Sequence, residues 1–430
     1  MKKLLQIILK YCAKLILAKY QPDIIGITGS VGKTSAKEAI RQVLSHSFRV
    51  RASSKNYNNE FGLPLTIIGS LTAGRSLGGW ALVFLKVIKL LIAKDQNYPQ
   101  IIILEMGIDR PGDMDYLNSI VQLKIAILTL IGTSHMEFFG SRDNIAKEKA
   151  KIFNNLQSGG WAIINADDDF TAKIIPNVKN KVLTFGFDQE ADVAASNIIC
   201  TFQDAEDINS LAGINFKLKY QGSYIPMLLP RVISYSAIYA ALVGASVGFL
   251  YEMNGIAIAE QLKLFTPPKG RMNLIAGMNN SMIIDDTYNA SPQSTKAALE
   301  IVGQINNTII NNKWLVLGDM LELGKDSNQE HQTIGQVIAT IPKAKLLTIG
   351  QEAQAIGQGA RAENMAEQNI KHFTNQAELI VYLQNNIQAG DLILVKGSQG
   401  SRMERISQAL LANPKQAKDL LVRQEEDWVE

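Results

Sequence analysis

From Asp23 onward the chain alternates short β-rich apolar runs with stretches of helical period. Ile24–Thr28, Phe48–Ala52, Ile101–Glu105, Ile125–Leu130 and Trp161–Asn165 read as strands, and Lys33–Leu44, Asp113–Val121 and Asn144–Leu156 as helices. Alternation of this kind predicts a mostly parallel sheet with helices on both faces. Residues 182–224 read as irregular and strand-rich, and a helix follows over Tyr235–Tyr251. The paired prolines of Thr266-Pro267-Pro268-Lys269-Gly270 cannot continue a helix and mark a linker. Beyond it, strands at Met282–Asp286, Trp314–Leu317, Lys345–Ile349 and Leu392–Val395 interleave with helices near Gln293–Gln304, Gln329–Thr340, Gln376–Asn386 and Arg402–Leu411. The pattern predicts an α/β protein: a parallel-sheet domain over residues 22–266, then a smaller Rossmann-like domain over 267–430.

Two apolar stretches stand outside this alternation. Residues 1–21 read as an amphipathic helix in which Lys3, Gln6, Lys10, Ala13 and Lys14 share one face and Leu, Ile and Tyr fill the rest. Lys10 interrupts the apolar run and no small-residue cleavage site follows, which argues against a signal peptide. The second stretch, Leu77–Ala93, contains Lys86 and Lys89 and is too short and too charged to read as a membrane span. Two readings remain: peripheral contact of residues 1–20 and 77–93 with an anionic membrane surface, Trp80 sitting at the interface, or packing of both helices on each other or on the adjacent domain. Amphipathicity alone mostly reports a core-facing helix, which favours packing.

Composition narrows the class. The 430 residues leave room for two or three domains, and 47% hydrophobic against 19% charged residues excludes a disordered chain. A net charge of +3 provides no basic excess for a dedicated nucleic-acid binder. Cys12 and Cys200 cannot build a disulfide framework, which points to the cytoplasm. His46, His135, His331 and His372 are too few for a histidine-built metal cluster.

The segment Asp23–Ser35 carries the clearest chemistry. A strand runs into the turn Thr28-Gly29-Ser30-Val31-Gly32, and a helix starts at Lys33-Thr34-Ser35. Backbone N–H groups of such a turn cradle phosphate oxygens, Lys33 reaches the outer phosphates and the Thr34 hydroxyl ligates Mg²⁺. Ile27 stands where the usual spacing puts its first glycine. Glu105 ends a strand, where a carboxylate can hold a divalent cation beside the loop, and His135 follows the next strand on the same sheet edge. Lys147, Lys149 and Lys151 lie on the following helix.

These motifs resemble the Mur ligases, ATP-dependent amide-bond-forming enzymes of peptidoglycan precursor synthesis. The likeness is greatest to the branch that joins D-Ala-D-Ala to UDP-MurNAc-tripeptide. That family's shortened loop accounts for the missing glycine. The resemblance extends from Ile24 to Arg405 through Asn56–Gly62, Leu104–Gly107, Ser134–Ser141, Asp285–Pro292, Leu317–Gly324 and Val395–Ser398. It implies ATP and Mg²⁺ as cofactors, with residues 28–35 on the phosphates and Thr34, Glu105, His135 and Lys149 at the metal. Lys149 matches a lysine that can be carbamylated, and Lys147 is the second choice. Asn289 is expected at the adenine, Arg271 at the interdomain hinge, and Asp319 facing the nucleotide. For Asp319 a helix-cap or turn role is an equal alternative. Asn58, Asn59, Lys396 and Ser398 are expected at the substrates.

The implied partners are a nucleotide-linked muramyl peptide and D-Ala-D-Ala, acted on by a cytoplasmic monomer, at the inner membrane face if the two apolar helices bind lipid. Two departures stand out. The loop starts at Thr28, so the reading expects no UDP-sugar-binding domain ahead of it, and Pro230–Tyr235 replaces the family's glycine-histidine-asparagine stretch. Two further readings are a related ligase acting on another acid, such as a folate or a polymer-linked carboxylate, and a P-loop ATPase or kinase with no amide product.

Overall fold

A computed structural model of the chain describes residues 2–53, 57–74, 76–132, 136–202, 211–305 and 308–425. Asn56, Ser134 and His135 lie outside the described residues. The chain forms two compact units. The first comprises residues 1–197, 216–227 and 238–265, and the second 198–215, 228–237 and 266–430. The helix over residues 2–20 contributes Leu9, Ala13 and Ile16 to the core of the first unit. The second unit also takes in two stretches that precede the paired prolines.

In the first unit α1 (Lys2–Tyr20) precedes β1 (Asp23–Thr28), α2 (Lys33–Leu44), β2 (Val50–Ala52), α3 (Gly62–Ile68) and α4 (Leu77–Ile92). Next come β3 (Ile101–Glu105), α5 (Asp113–Asn118), β4 (Leu123–Leu128), α6 (Met136–Phe139), α7 (Arg142–Ala150), β5 (Leu156–Asn165), α8 (Thr171–Ile174) and β6 (Lys181–Gly186). The helix expected over 144–156 ends at Ala150, where a tight 3₁₀ turn over Lys151–Asn155 leads into β5. After β6 come β7 (Val193–Phe202), β8 (Leu211–Tyr220), β9 (Ser223–Pro230), α9 (Tyr235–Leu250) and α10 (Gly255–Lys263), of which residues 198–215 and 228–237 belong to the second unit.

The strand order is β2-β3-β1-β4-β5-β6-β7-β8-β9, and the pairs from β2 to β7 are parallel. Since β1 lies between β3 and β4, the carboxyl ends of all three share one edge. Their register puts Glu105 beside Ile27 and Leu128 beside Thr28. Ligands of open parallel sheets bind at such an edge. Leu104, Ala126 and Ile164 anchor a core to which α1 contributes Leu9, Ala13 and Ile16, and α4 contributes Val83, Val87 and Leu90.

The second unit holds β10 (Asn273–Gly277), β11 (Ser281–Asp286), α11 (Pro292–Gln304), β12 (Lys313–Gly318), α12 (Ser327–Ala339), β13 (Ala344–Ile349) and α13 (Gln354–Ala362). It ends with β14 (Ile370–Phe373), α14 (Gln376–Asn386), β15 (Leu392–Lys396), α15 (Glu404–Ala409) and α16 (Ala417–Leu420). Its sheet runs β10-β11-β15-β12-β13-β14, with only β10 antiparallel. Both faces are covered. Leu315 and Leu317 point into one core, while Trp314 and Val316 point into the other, as the period of two requires.

Candidate active site

The turn after β1 is built by two glycines. Gly29 has φ 146°, and a Cβ there would stand 1.9 Å from Thr129 Oγ1; Gly32 has φ 91° and precedes the first residue of α2. Thr129 in turn clamps the loop, since its hydroxyl lies 3.2 Å from the Thr28 carbonyl and 2.6 Å from the Val31 carbonyl. The Ser30 N–H donates to Leu130 O at 2.6 Å. Gly32 gives α2 no side-chain cap, so its first-turn N–H groups and the positive end of its dipole face the loop. The Ser30 Oγ is buried with no hydrogen-bond partner among the described residues. An uncapped helix start and an orphaned hydroxyl are what a phosphate group would satisfy. Ser35 is buried within the first turn of α2, and the Thr28 hydroxyl donates to Met106 O at 2.8 Å.

Two ammonium groups converge on one oxygen here. Lys33 Nζ donates to Gly29 O at 2.7 Å, and Lys149 Nζ reaches the same carbonyl from α7 at 3.1 Å. Burial pushes the Lys149 amine down to about 7, the Lys33 charge adds to the fall, and Asp109 partly offsets it. Lys147 lies exposed on the same helix, so the turn of α7 separates the two lysines by environment. Lys151 stays on the surface and pairs with Asp115 at 2.6 Å.

Glu105 completes the cluster. Thr34 Oγ1 donates to its Oε2 at 3.2 Å, and Lys37 Nζ sits 2.9 Å from its Oε1 with both side chains almost fully buried. Lys37 also donates to Ser53 O at 2.7 Å. The sequence motifs did not single out Lys37; its place one turn beyond Lys33 on α2 was the available signal. A hydroxyl and a carboxylate side by side form the hard-oxygen donor set that suits Mg²⁺. His135, expected at the same metal, falls outside the described residues. Asn59 Oδ1 accepts from the Phe61 and Gly62 N–H groups and so starts α3, while Asn58 O accepts from Gly107 N at 2.9 Å.

The remaining expected residues lie in the second unit. Lys396 Nζ pairs with Asp286 at 2.6 Å and donates to Asn289 O at 3.0 Å. Asn289 Oδ1 accepts from Gln399 N at 3.3 Å. The Ser398 hydroxyl accepts from Leu321 N at 2.8 Å, and Ser398 N donates to Asp319 O. Asp319 Oδ1 accepts from Ala353 N at 2.7 Å, just ahead of α13, which is a capping contact. Arg271 stacks on the Tyr288 ring at 4.3 Å, and its buried Nε has no partner among the described residues. Two groups here were given no role by the sequence: Asp285, although it opens a quoted motif, and Arg423. Asp285 is fully enclosed, its carboxyl pushed up to about 7 by burial while Thr287 and Ser407 hydroxyls donate to it. Arg423 bridges Glu404 to the Thr287 and Tyr288 carbonyls, tying the chain's last segment to this loop.

Comparison with known proteins bears on the family and the fold. Residues 27–74 and 85–225 match the Mur ligase middle domain, and residues 270–399 match the Mur ligase, glutamate ligase domain. The chain is 30% identical to the UDP-N-acetylmuramoyl-tripeptide--D-alanyl-D-alanine ligase of Bacillus subtilis, over 94% of this chain and 79% of the relative. It is 32% identical to the ligase of the same name from Rickettsia prowazekii, over 89% and 76%. The crystal structure of MurF from Acinetobacter baumannii superposes with a TM-score of 0.75 at 29% identity, covering 94% of this chain and 79% of that one. MurF ligase from Thermotoga maritima in complex with ADP gives 0.75 at 23% identity, over 96% and 84%, a likeness of fold. The chain belongs to the Mur ligase family of ATP-dependent amide ligases, in the branch of the UDP-N-acetylmuramoyl-tripeptide–D-alanyl-D-alanine ligases.

Proposed function

We propose that this chain joins D-Ala-D-Ala to UDP-MurNAc-tripeptide at the expense of ATP, as a cytoplasmic monomer. The observation that carries the reading is the pair of ammonium groups, Lys33 and Lys149, held on the Gly29 carbonyl of a loop whose helix start is uncapped. A carboxylate is a poor acyl donor, so its oxygen first attacks the γ-phosphorus of ATP, and the bond to the β–γ bridging oxygen breaks to release ADP. The amine of D-Ala-D-Ala then attacks the acyl carbon, loses a proton, and inorganic phosphate leaves.

In this reading the loop's N–H groups and Lys33 hold the phosphates and oppose the charge that builds on the transferring group. Thr34 and Glu105 would hold Mg²⁺, with His135 as the family resemblance implies; the ion supplies charge neutralisation for the phosphoryl oxygens. Lys37 keeps Glu105 fixed. Lys149, its amine lowered to about 7, is suited in its neutral form to attack the carbon of CO₂; one C=O π bond would open, the nitrogen would lose a proton to water, and the resulting carbamate would offer oxygen donors where a cation stood. Asn289, Arg271 and Asp319 are assigned to the nucleotide, and Asn58, Asn59, Lys396 and Ser398 to the substrates. The engaged carboxamide of Asn59 leaves its Nδ2 as the group for that task.

The test is a mass-spectrometric product assay with ATP, Mg²⁺, UDP-MurNAc-tripeptide and D-Ala-D-Ala, with Lys33→Ala as control. A pentapeptide product that disappears in the control is expected. ADP formed only with other acid and amine pairs would overturn the substrate assignment, and ADP formed without any amine would overturn the ligase reading.

A further inference from the structure

Helices α1 and α4 carry apolar side chains on their outward faces as well as on their buried ones. On α1 two polar side chains turn toward the protein: Gln6 Nε2 donates to Glu60 at 2.8 Å, and Lys10 donates to the Ser119 hydroxyl and lies over the Tyr116 ring. Leu4, Ile7, Ile8, Tyr11 and Leu15 form the outward stripe, at the spacing of one helix face. On α4, Lys86 is half-buried and donates to Gly69 O, while Leu77, Leu82, Leu85, Ile88 and Ile92 are exposed, the first to 88% and the last to 81%. The two helices are locked together where they end, since Lys19 and Tyr20 donate to the carbonyls of Leu90 and Ala93. In water alone a continuous stripe of exposed leucines and isoleucines is unfavourable.

Charge identifies what covers this face. Residues 1–22 and 61–94 contain nine lysines and arginines and no aspartate or glutamate, although the whole chain is only +3. Lys3, Lys14, Lys89 and Lys94 are exposed beside the apolar stripes, and among the described residues none has a carboxylate at ion-pair distance. No helix among the described residues is long and apolar enough to cross a membrane. An exposed apolar stripe flanked by more cations than anions, with Glu60 at Gln6 and Asp95 after α4 as the neighbouring carboxylates, suits a layer of hydrocarbon topped by phosphate. Trp80 is not free to anchor this layer fully, because it is half-buried and its indole N–H donates to Gly74 O at 3.2 Å.

We propose that the α1–α4 face docks on the surface of an anionic lipid bilayer, with the leucine stripes entering the headgroup–acyl boundary and the lysines on the phosphates. The inference is independent of the substrate assigned above. The opposite faces of both helices are already anchored in the core by Leu9, Ala13, Ile16, Val83, Val87 and Leu90, so docking requires no folding step.

The experiment is co-sedimentation of the full chain with vesicles of phosphatidylcholine alone or mixed with phosphatidylglycerol, at low and at high salt. Binding to the mixed vesicles, at least tenfold weaker on pure phosphatidylcholine and weakened by salt, is expected. Leu82→Ser/Leu85→Ser and Lys14→Glu/Lys89→Glu are each expected to lose tenfold or more in binding while keeping the ADP-induced thermal shift, which shows that they fold. No binding to anionic vesicles at low salt overturns the proposal, as does equal binding by both variants. A concentration-dependent dimer that Leu85→Ser dissolves, with no vesicle binding, would assign the face to a second copy instead.

Discussion

Replacing Lys37 by methionine removes one ammonium and keeps the length of the side chain. In the native protein Nζ lies 2.9 Å from Glu105 Oε1 and donates to Ser53 O, and the two side chains are only 2% and 3% exposed. Water cannot take the place of the lost cation, so Glu105 becomes an uncompensated buried charge. Breaking a buried pair from one side costs about 3–5 kcal/mol. The stranded Ser53 carbonyl adds to this cost, since an unmet buried acceptor is worth about 1–3 kcal/mol. Urea unfolding followed by circular dichroism is expected to show at least the lower figure for Lys37→Met. Adding Glu105→Gln to that variant removes the stranded charge, so the double variant is expected to be more stable than Lys37→Met although it carries one more change. A Lys37→Met protein within about 1 kcal/mol of the wild type would refute the reasoning, because that is the range of exposed pairs. A double variant no more stable than the single one would refute it equally, because Glu105 would then have its own access to water.

Three further outcomes follow from single positions. Gly29→Ala places a Cβ 1.9 Å from Thr129 Oγ1 and is expected to abolish ADP binding, whereas at Gly32 the nearest atom is 3.8 Å away and only the φ of 91° opposes a side chain; calorimetric titration with ADP should show weakened but measurable binding for Gly32→Ala. Lys149 titrates near 7 when folded against an ordinary 10.5, so the unfolded chain holds more protons between those values and stability rises with pH across that window. Lys149→Met should therefore gain most over the wild type at pH 6 and least at pH 10; urea midpoints that differ equally at both pH values would contradict this. Asp285 is raised to about 7 from 3.8, so its burial cost appears as pH rises through that interval. Asp285→Asn is expected to be more favourable relative to the wild type at pH 8 than at pH 5, and the same comparison of urea midpoints checks it.

The parallel strands were legible because both faces of each sheet are covered, which turns β3 and β15 into the uninterrupted apolar runs Ile101–Leu104 and Leu392–Val395. The phosphate loop was legible for a different reason: its chemistry demands glycine, lysine and threonine at neighbouring positions, and Gly29 and Gly32 adopt backbone angles that other residues resist. Elements without a strong period were harder to read. β10, β14 and α13 escaped notice because β10 and β14 are four or five residues long and α13 is rich in glycine and alanine. Lys37 and Asp285 were illegible as charged groups in a core, since only the fold shows that α2 carries Lys37 over Glu105 and that Ser407 reaches Asp285 from α15. The sense of the N-terminal helix was also beyond the sequence, because Lys10 and Gln6 turned inward follows from where Ser119 and Glu60 stand.

Charge at the loop ties these observations together. Lys37 is paired with Glu105, while Lys33 and Lys149 both donate to the Gly29 carbonyl, with Asp109 as an anion that favours the charged form of Lys149. Two ammonium groups on one oxygen repel, and burial sharpens the repulsion because less water screens it. Burial first, and the Lys33 charge after it, lower the Lys149 amine to about 7. A polyphosphate would act in the other direction, by bringing negative charge and drawing the proton back. A carbamate on Lys149 would be a third solution, with the anion built from the lysine itself. The phosphate binding and the carbamate formation proposed above would therefore both draw on the same place, the Gly29 carbonyl where Lys33 meets the buried amine of Lys149.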